Sequence, residues 1–194
     1  MNEMVVLKDA REVVIRALAE ADLPGLHRFF AELPEEDRIF LRMDVTDHEQ
    51  VERRLRETRE GKAFRLVALD GESIAAYGVL ELEGHGWQEH VGELRLIVGR
   101  AWQRAGLGMN LARELYLLAV QERVEEIVAR MMGPQRGARR ILQRLGFKEE
   151  VVLPDHVKDR KGRLQDLVVM RCKLQTLLQE MKHHFQEFDW QRGR

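Results

Sequence analysis

The sequence predicts a single α/β domain with a mixed, mostly antiparallel sheet of six to seven strands flanked by helices. The length of 194 residues suits one domain with a full hydrophobic core. Segments with alternating apolar residues and segments with apolar residues at helical spacing follow each other in the order β-α-α-β-β-β-α-β-α-β-β. Because strands recur along the whole chain, we expect them to join one sheet.

The first half of the chain contains clear helix and turn signals. Asp22 and Pro24 are residue types favoured at a helix cap and in a first helical turn. Asp70-Gly71-Glu72 is typical of a tight turn between two strands. The elements predicted here are strands over residues 12–18, 63–69 and 74–82, a helix from Asp22 to residue 33, a short helix plus loop over 35–43, and a polar helix over 46–60.

The second half begins with the strand that organises the prediction. Leu94, Leu96 and Val98 alternate with other residues as in a strand, and apolar residues then recur at helical spacing. The elements predicted are this strand over 92–99, a helix over 109–123, a strand over 126–132, a helix over 135–145, strands over 147–153 and 164–174, and an amphipathic C-terminal helix reaching residue 188.

Two glycines, Gly106 and Gly108, separate the central strand from the helix that follows it. Glycine permits a tight turn and lets a ligand approach the backbone closely. The open amides and the positive dipole end of a helix N-terminus are suited to bind phosphate. We therefore interpret this stretch as a pyrophosphate-binding loop at the end of a strand.

Other glycine motifs fit this stretch less well. A Walker A loop requires Gly-Lys-Ser/Thr, and Gly108 is followed by Met109. A dinucleotide fingerprint requires a third glycine, where this chain has Leu111. A tight turn without a ligand remains an alternative to a phosphate site.

The spacing Gln103-x-x-Gly106-x-Gly108 resembles the acyl-CoA signature of the GNAT N-acetyltransferase superfamily, Q/R-x-x-G-x-G/A. Residues 138–147, which end in Leu-Gly-Phe, resemble a later helix of the same family. The resemblance covers residues 12–174 and is nearest to the bacterial protein-lysine acetyltransferase branch. It implies a GNAT acyl-CoA-binding acetyltransferase domain over residues 1–174 and a C-terminal helical extension over 175–194.

The resemblance implies acetyl-CoA as co-substrate, with no metal. The main chain of the central strand would pair with the pantetheine arm, the amides of the glycine loop would hold the pyrophosphate, and a residue after the next strand would touch the pantetheine. The implied cofactor-binding residues are Ile97, Val98, Gly99, Gln103, Arg104, Ala105, Gly106, Leu107, Gly108, Met109 and Gln135.

Acetyl transfer to an amine places its main demand on a base. A lysine amine has a pKa near 10.4, so making it neutral at pH 7 costs about 4.6 kcal/mol, against about 2 kcal/mol to release a thiolate. Glu93 on the central strand is the candidate general base, as its counterparts in the family are. Arg95 shares its face of the strand, and an ion pair between the two is the structural alternative.

The family often places a tyrosine near the sulfur as general acid, and Leu142 stands at the matching position here. Neither Tyr77 nor Tyr116, the two tyrosines of the chain, matches the motif. The predicted function is acetyl-CoA-dependent N-acetyl transfer to a primary amine, either on a small molecule or on a protein lysine. The alternative is a non-catalytic acyl-CoA-binding regulatory module.

Composition narrows the choice of partners. The net charge of −1 gives no indication of nucleic-acid binding, and no segment has the length and apolarity of a membrane span. The single cysteine, Cys172, fits a reducing compartment, so the expected location is cytoplasmic.

A homodimer through the C-terminal helix is one option. Five acids could attract a cationic acceptor or form an exposed loop: Glu35, Glu36, Asp37, Asp44 and Asp47.

Overall fold

The computed structural model describes residues 2–42, 47, 49–52, 61–82 and 86–175. Eight strands form one sheet in the order β1-β2-β3-β4-β5-β6-β8-β7. The strands are β1 (Asn2–Val6), β2 (Glu12–Ala17), β3 (Ala63–Asp70), β4 (Ser73–Leu82), β5 (Val91–Val98), β6 (Glu126–Met132), β7 (Lys148–Lys158) and β8 (Leu164–Lys173). The helices are α1 (Leu23–Glu32), α2 (Glu35–Arg38), α3 (Leu107–Gln121) and α4 (Arg136–Arg144).

Every neighbouring pair in the sheet is antiparallel except β5 and β6, which are parallel. This confirms the predicted mixed, mostly antiparallel α/β fold, with one strand more than expected. The additional strand is β1, which pairs antiparallel with β2. Its residues are exposed or half-buried, so its sequence lacks the buried apolar face that marks a strand.

The two faces of the sheet carry different helices. The larger core cluster joins one face to α3 and α4 through residues such as Leu107, Leu111 and Leu142. The smaller cluster joins the other face to α1 through Leu26, Phe29, Phe30 and their neighbours. The helix α3 lies very close to β4, because a Cβ atom at Gly78 would come within 2.9 Å of Leu115 Cδ1. Because Gly78 has no side chain, α3 can pack tightly against the centre of the sheet.

Most predicted elements are present, with boundary differences that have physical causes. The strand over 126–132 and the turn at Gly71 are found as predicted. The helix α3 begins at Leu107, two residues earlier than predicted, because the two glycines stand at its entrance rather than before it. The strand β7 continues past Pro154 to Lys158. Proline is tolerated there because β7 is an edge strand whose register with β8 is already irregular.

The predicted polar helix over 46–60 and the C-terminal extension lie largely outside the described residues. Residues 49–52 are helical, as are residues 174 and 175. In the described part of the chain, no helix combines the length and apolar character needed to cross a membrane. Across the same residues, no group of three or more His, Cys, Asp or Glu side chains could hold a metal ion.

Candidate active site

The parallel strands β5 and β6 pair over a short distance and then separate. Their register covers three residue pairs, from Val91 opposite Glu126 to Glu93 opposite Val128. Beyond Glu93, β5 continues to Val98 and β6 continues to Met132 without further pairing between them. The sheet therefore has an internal opening, which we call the β5–β6 opening, with Glu93 at its closed end.

Beyond Glu93, the edge of β5 that faces this opening carries main-chain groups that do not pair with β6. The Gly99 amide donates to the Ala75 carbonyl at 3.0 Å, so its hydrogen-bonding groups point toward β4. Since these groups alternate in direction along a strand, those of Leu96 and Val98 point toward the opening. The Val98 carbonyl there accepts a hydrogen bond from Gln103 Nε2 at 3.2 Å. Of the predicted pantetheine contacts, Val98 is thus directed at the opening, whereas Ile97 and Gly99 face β4.

The loop between β5 and α3 presents main-chain donors, as the glycine spacing predicts. Gly106 has a φ of 89° and Arg104 a φ of 64°. Within the described chain, no hydrogen bond uses the amides of residues 104–108, whereas the Met109 amide donates to the Gly106 carbonyl at 3.1 Å. A left-handed turn followed by a helix N-terminus aims such amides at one point and favours an anion. We call residues 103–108 the phosphate loop.

The loop between β1 and β2 holds the phosphate loop from outside. The Lys8 amide donates to the Ala105 carbonyl at 3.1 Å. The Arg11 guanidinium donates to the Ala101 carbonyl at 2.9 Å and lies 3.8 Å from the centre of the Trp102 ring. These contacts were missed in the sequence, although the short apolar run before Lys8-Asp9-Ala10 was a usable hairpin signal. They fix a loop that has few hydrogen bonds of its own.

The residues present fit an acyl-CoA. A Cβ atom at Gly108 would meet only Val98 Cγ2, at an ordinary 3.5 Å, so internal packing does not require glycine there. The missing side chain leaves room in front of the open amides. Gln135 lies after β6, and its Oε1 accepts a hydrogen bond from the Met132 amide at 2.8 Å. Its side-chain amide group is therefore held near the open end of β6.

Glu93 is buried, with 6% of its surface exposed, and forms ion pairs with two arginines. Arg42 binds both carboxylate oxygens, with Nη1 at 3.0 Å from Oε2 and Nη2 against Oε1. Arg130 Nη1 donates to Oε2 at 2.9 Å. Arg95 instead pairs with Glu81, so the expected alternative of a Glu93–Arg95 pair is wrong. Arg95 reaches Glu81 because that residue lies diagonally across on the adjacent strand β4.

None of the described side chains near the β5–β6 opening is a tyrosine placed like the general acid that the resemblance implies. Leu142 is buried in the larger core and Tyr116 packs in the same cluster. Tyr77 lies on the sheet face that carries Ile97 and Glu93, with its ring packed 5.4 Å from Phe30 in an edge-on contact. Burial raises the pKa of Tyr77 and also that of Tyr116, so both phenols stay protonated at neutral pH.

Three acids of the predicted cluster, Glu35, Glu36 and Asp37, already form ion pairs. Glu35 pairs with Lys161 at 2.6 Å, and Glu36 pairs with Arg100 at 2.6 Å. These partners lower the pKa of both carboxyls. Asp37 shares Arg100, while Asp47 caps a turn by accepting from the Gln50 amide. Asp44 lies outside the described residues. The described acids are thus tied to local structural roles.

Solved structures of several acetyltransferases share this fold. The ribosomal-protein-alanine N-acetyltransferase of Brucella melitensis has a TM-score of 0.70 at 24% identity, covering 82% of this chain and 98% of that one. Mycobacterium smegmatis RimJ in complex with CoA-disulfide has a TM-score of 0.76 at 18% identity, covering 94% and 93%. A chimeric spermidine N-acetyltransferase SpeG from Vibrio cholerae and hSSAT has a TM-score of 0.71 at 19% identity, covering 86% and 98%.

At the level of sequence, no curated protein matches the chain. The family model described as the acetyltransferase (GNAT) domain matches residues 12–148, which hold β2 to α4 and the start of β7. That span includes the phosphate loop and the β5–β6 opening. The chain therefore belongs to the GNAT acetyltransferase family, whose members are N-acetyltransferases that use acetyl-CoA.

Proposed function

We propose that this protein transfers the acetyl group of acetyl-CoA directly to a primary amine, with Glu93 as the general base. The observation that carries the proposal is the alignment of two features on one strand. The phosphate loop lies at the end of β5, and Glu93 lies on β5 at the closed end of the opening. A cofactor bound along the exposed edge of β5 would bring its thioester toward this carboxylate.

The chain's own residues account for cofactor binding. The amides of residues 104–108 would hold the pyrophosphate, and the main-chain groups of Val98 and Leu96 would pair with the pantetheine arm as an added strand does. Gln103 supports this edge through its hydrogen bond to the Val98 carbonyl. Gln135 stands at the opposite side of the opening, where its amide group would contact the same arm. Acetyl-CoA supplies the activated acyl group.

Glu93 would accept the amine proton through its carboxylate, whose two oxygens are held in place by the guanidiniums of Arg42 and Arg130. The C–N bond forms as the C–S bond breaks. An acceptor that enters as an ammonium ion loses two protons in all, one before attack and one after it. One of these two protons is released to solvent. The other is matched by the proton that the CoA thiolate takes up to form the thiol. Removing the first proton is the larger cost, about 4.6 kcal/mol at pH 7 for a lysine-like amine.

Protonation of the leaving thiolate does not require a tyrosine. A thiol pKa near 8.5 makes release of the thiolate cost only about 2 kcal/mol at pH 7. Leu142 is apolar and buried, and Tyr77 packs against Phe30 with its pKa raised by burial. We therefore assign the proton to water.

The test compares Glu93→Gln with Glu81→Gln. Glu81 lies opposite Glu93 across β4 and β5 and is also bound by arginines, so the control removes a carboxylate from a similar environment. Turnover is followed as thiol release from acetyl-CoA over a panel of amines and lysine peptides, and acetyl-CoA affinity is measured by calorimetry. We expect Glu93→Gln to lose about 10²- to 10⁴-fold in kcat with unchanged acetyl-CoA affinity, and Glu81→Gln to retain turnover.

Two outcomes would contradict this assignment. Full activity of Glu93→Gln would exclude Glu93 as the base, and equal losses in both variants would indicate a structural ion-pair role. If wild type binds acetyl-CoA but releases no thiol with any acceptor, the chain is an acyl-CoA-binding module instead. That second reading is favoured by one observation, the absence of a tyrosine at Leu142. The proposal covers a primary amine on either a small molecule or a protein, and it includes a cytoplasmic location and dimerisation through residues 175–194.

A further inference from the structure

The charge balance around Glu93 is uneven. One carboxylate is shared by two guanidiniums, those of Arg42 and Arg130. Arg42 uses both terminal nitrogens for this carboxylate, whereas Arg130 uses only Nη1. In the described chain neither arginine has a second acidic partner, so the group carries a surplus positive charge. Charges in a partly buried site are normally matched by an opposite charge.

Arg130 is well placed for a ligand that enters the opening. It lies on β6 two residues beyond Val128, the last residue of β6 that pairs with β5. Its side chain reaches back to Glu93, so it lies on the sheet face of the proposed base. About a third of that side chain, 33%, is exposed. The Nε and Nη2 groups of its guanidinium are therefore left for a partner beside the carboxylate of Glu93.

A cationic acceptor finds less support in the same region. Glu35, Glu36 and Asp37 are already bound by Lys161 and Arg100. Glu93 is already bound by two arginines, and Glu81, opposite it on β4, also pairs with arginines. A polyamine would bring further positive charge to a place where arginines outnumber acids, which is unfavourable.

We infer that the acceptor is a primary amine with a carboxylate on the carbon next to the nitrogen, as in a free amino acid, and that Arg130 binds this carboxylate. The inference rests on the proposed function and specifies its acceptor. In such a molecule the two groups are separated by one carbon, and Glu93 and the Arg130 guanidinium are separated by one hydrogen bond of 2.9 Å. The amine can face Glu93 while the carboxylate faces the free edge of Arg130. A guanidinium edge binds a carboxylate through two parallel hydrogen bonds.

The experiment uses pairs of acceptors that differ by this carboxylate alone. The pairs are leucine with isoamylamine, phenylalanine with phenethylamine, and lysine with cadaverine; spermidine and a peptide with a free N-terminus complete the panel. Thiol release from acetyl-CoA gives kcat/KM for each acceptor. We expect at least one amino acid to exceed its decarboxylated partner by roughly 10- to 100-fold, the range for a hydrogen bond between charged groups.

Three variants locate the effect. Arg130→Gln is expected to remove most of the preference within a pair by raising KM for the amino acid, while acetyl-CoA affinity is unchanged. Arg130→Lys keeps the positive charge but cannot form the two parallel hydrogen bonds of a guanidinium. It is expected to show part of the preference that Arg130→Gln loses. Arg171→Gln is the matched control, since Arg171 also forms ion pairs on the sheet, with Glu126 and Glu150, but one strand further from the opening. It is expected to leave the preference unchanged.

The possible results separate this inference from the proposed function. If decarboxylated amines, spermidine or the peptide are acetylated as well as or better than every amino acid, the carboxylate acceptor is refuted and N-acetyl transfer stands. A preference that survives in Arg130→Gln refutes the role of Arg130. If no acceptor of any kind releases thiol although acetyl-CoA binds, the proposed function fails, and the acceptor inference fails with it.

Discussion

Two glycine-to-alanine substitutions, two residues apart, should affect stability in opposite directions. Gly106 has a φ of 89°, a left-handed conformation that costs an alanine about 1–2 kcal/mol. Gly108 lies inside the first turn of α3, where an added Cβ atom would lie 3.5 Å from Val98 Cγ2 without a clash. Alanine is favoured over glycine in a helix by roughly 0.5–1 kcal/mol. The two variants should therefore differ by about 2 kcal/mol in free energy of unfolding.

This difference is large enough to measure by thermal unfolding. In a chain of this size, 1 kcal/mol shifts Tm by about 2–4 °C, so Gly108→Ala should unfold about 4–8 °C above Gly106→Ala. Gly106→Ala also turns the neighbouring amides away from their common direction. Loss of one or two hydrogen bonds to a charged phosphate should weaken acetyl-CoA binding by about 10-fold or more. Gly108→Ala should retain affinity within about threefold, because the related motif accepts alanine at this position.

The control is wild type measured with and without acetyl-CoA in the same scan. A ligand that binds the folded state raises Tm as its concentration exceeds Kd, and Gly106→Ala should gain less than Gly108→Ala at equal ligand. The reasoning is refuted if both variants lose the same stability. It is equally refuted if Gly106→Ala is destabilised but binds acetyl-CoA as wild type does, since the turn would then not direct the amides.

Three further predictions concern other parts of the molecule. Arg11→Leu removes the guanidinium from the Trp102 ring and should weaken acetyl-CoA binding several-fold in calorimetry, with little change in kcat. Arg16 lowers the pKa of Asp22 below 3.8, so the stability it adds is present above that pH and is lost as pH falls through the lowered value. Asp22→Asn should cost about 1 kcal/mol at pH 7 and progressively less in denaturant titrations below pH 4. Cys172, only 3% exposed, should react with a thiol reagent only on unfolding, which leaves the thiol-release assay without background.

Local features were the part of the fold that the sequence could predict. The strand at Leu94, the turn at Gly106 and the helix after it follow from side-chain alternation and from backbone conformations that only neighbouring residues determine. The strand β1 was missed because it lies at an edge with no buried face, and only the apolar run before Lys8 could have indicated it. The end of β7 was misjudged at Pro154, whose effect depends on whether the strand is central or at an edge.

The surroundings of Glu93 could not be predicted for a different reason. Glu93, Arg42 and Arg130 come from segments far apart in sequence, and any of several arginines could have reached the carboxylate. Arg95, two residues away, was the obvious partner from sequence, but the register between β4 and β5 brings Glu81 to it instead. Strand register decides which charges meet on the sheet, and the register was unknown before the structure, as was the position of Arg42 outside the strands.

The phosphate loop shows why residues outside the family match matter to the site. A loop that offers five amides to a ligand cannot also use them for its own hydrogen bonds, so it has little internal support. Lys8 and Arg11, which precede the matched residues 12–148, supply that support by holding the Ala105 and Ala101 carbonyls. The loop is thereby ordered on folding rather than on binding, which lowers the entropy lost when the cofactor arrives. Affinity for acetyl-CoA should therefore depend on the N-terminal hairpin, although the hairpin supplies none of the predicted cofactor contacts.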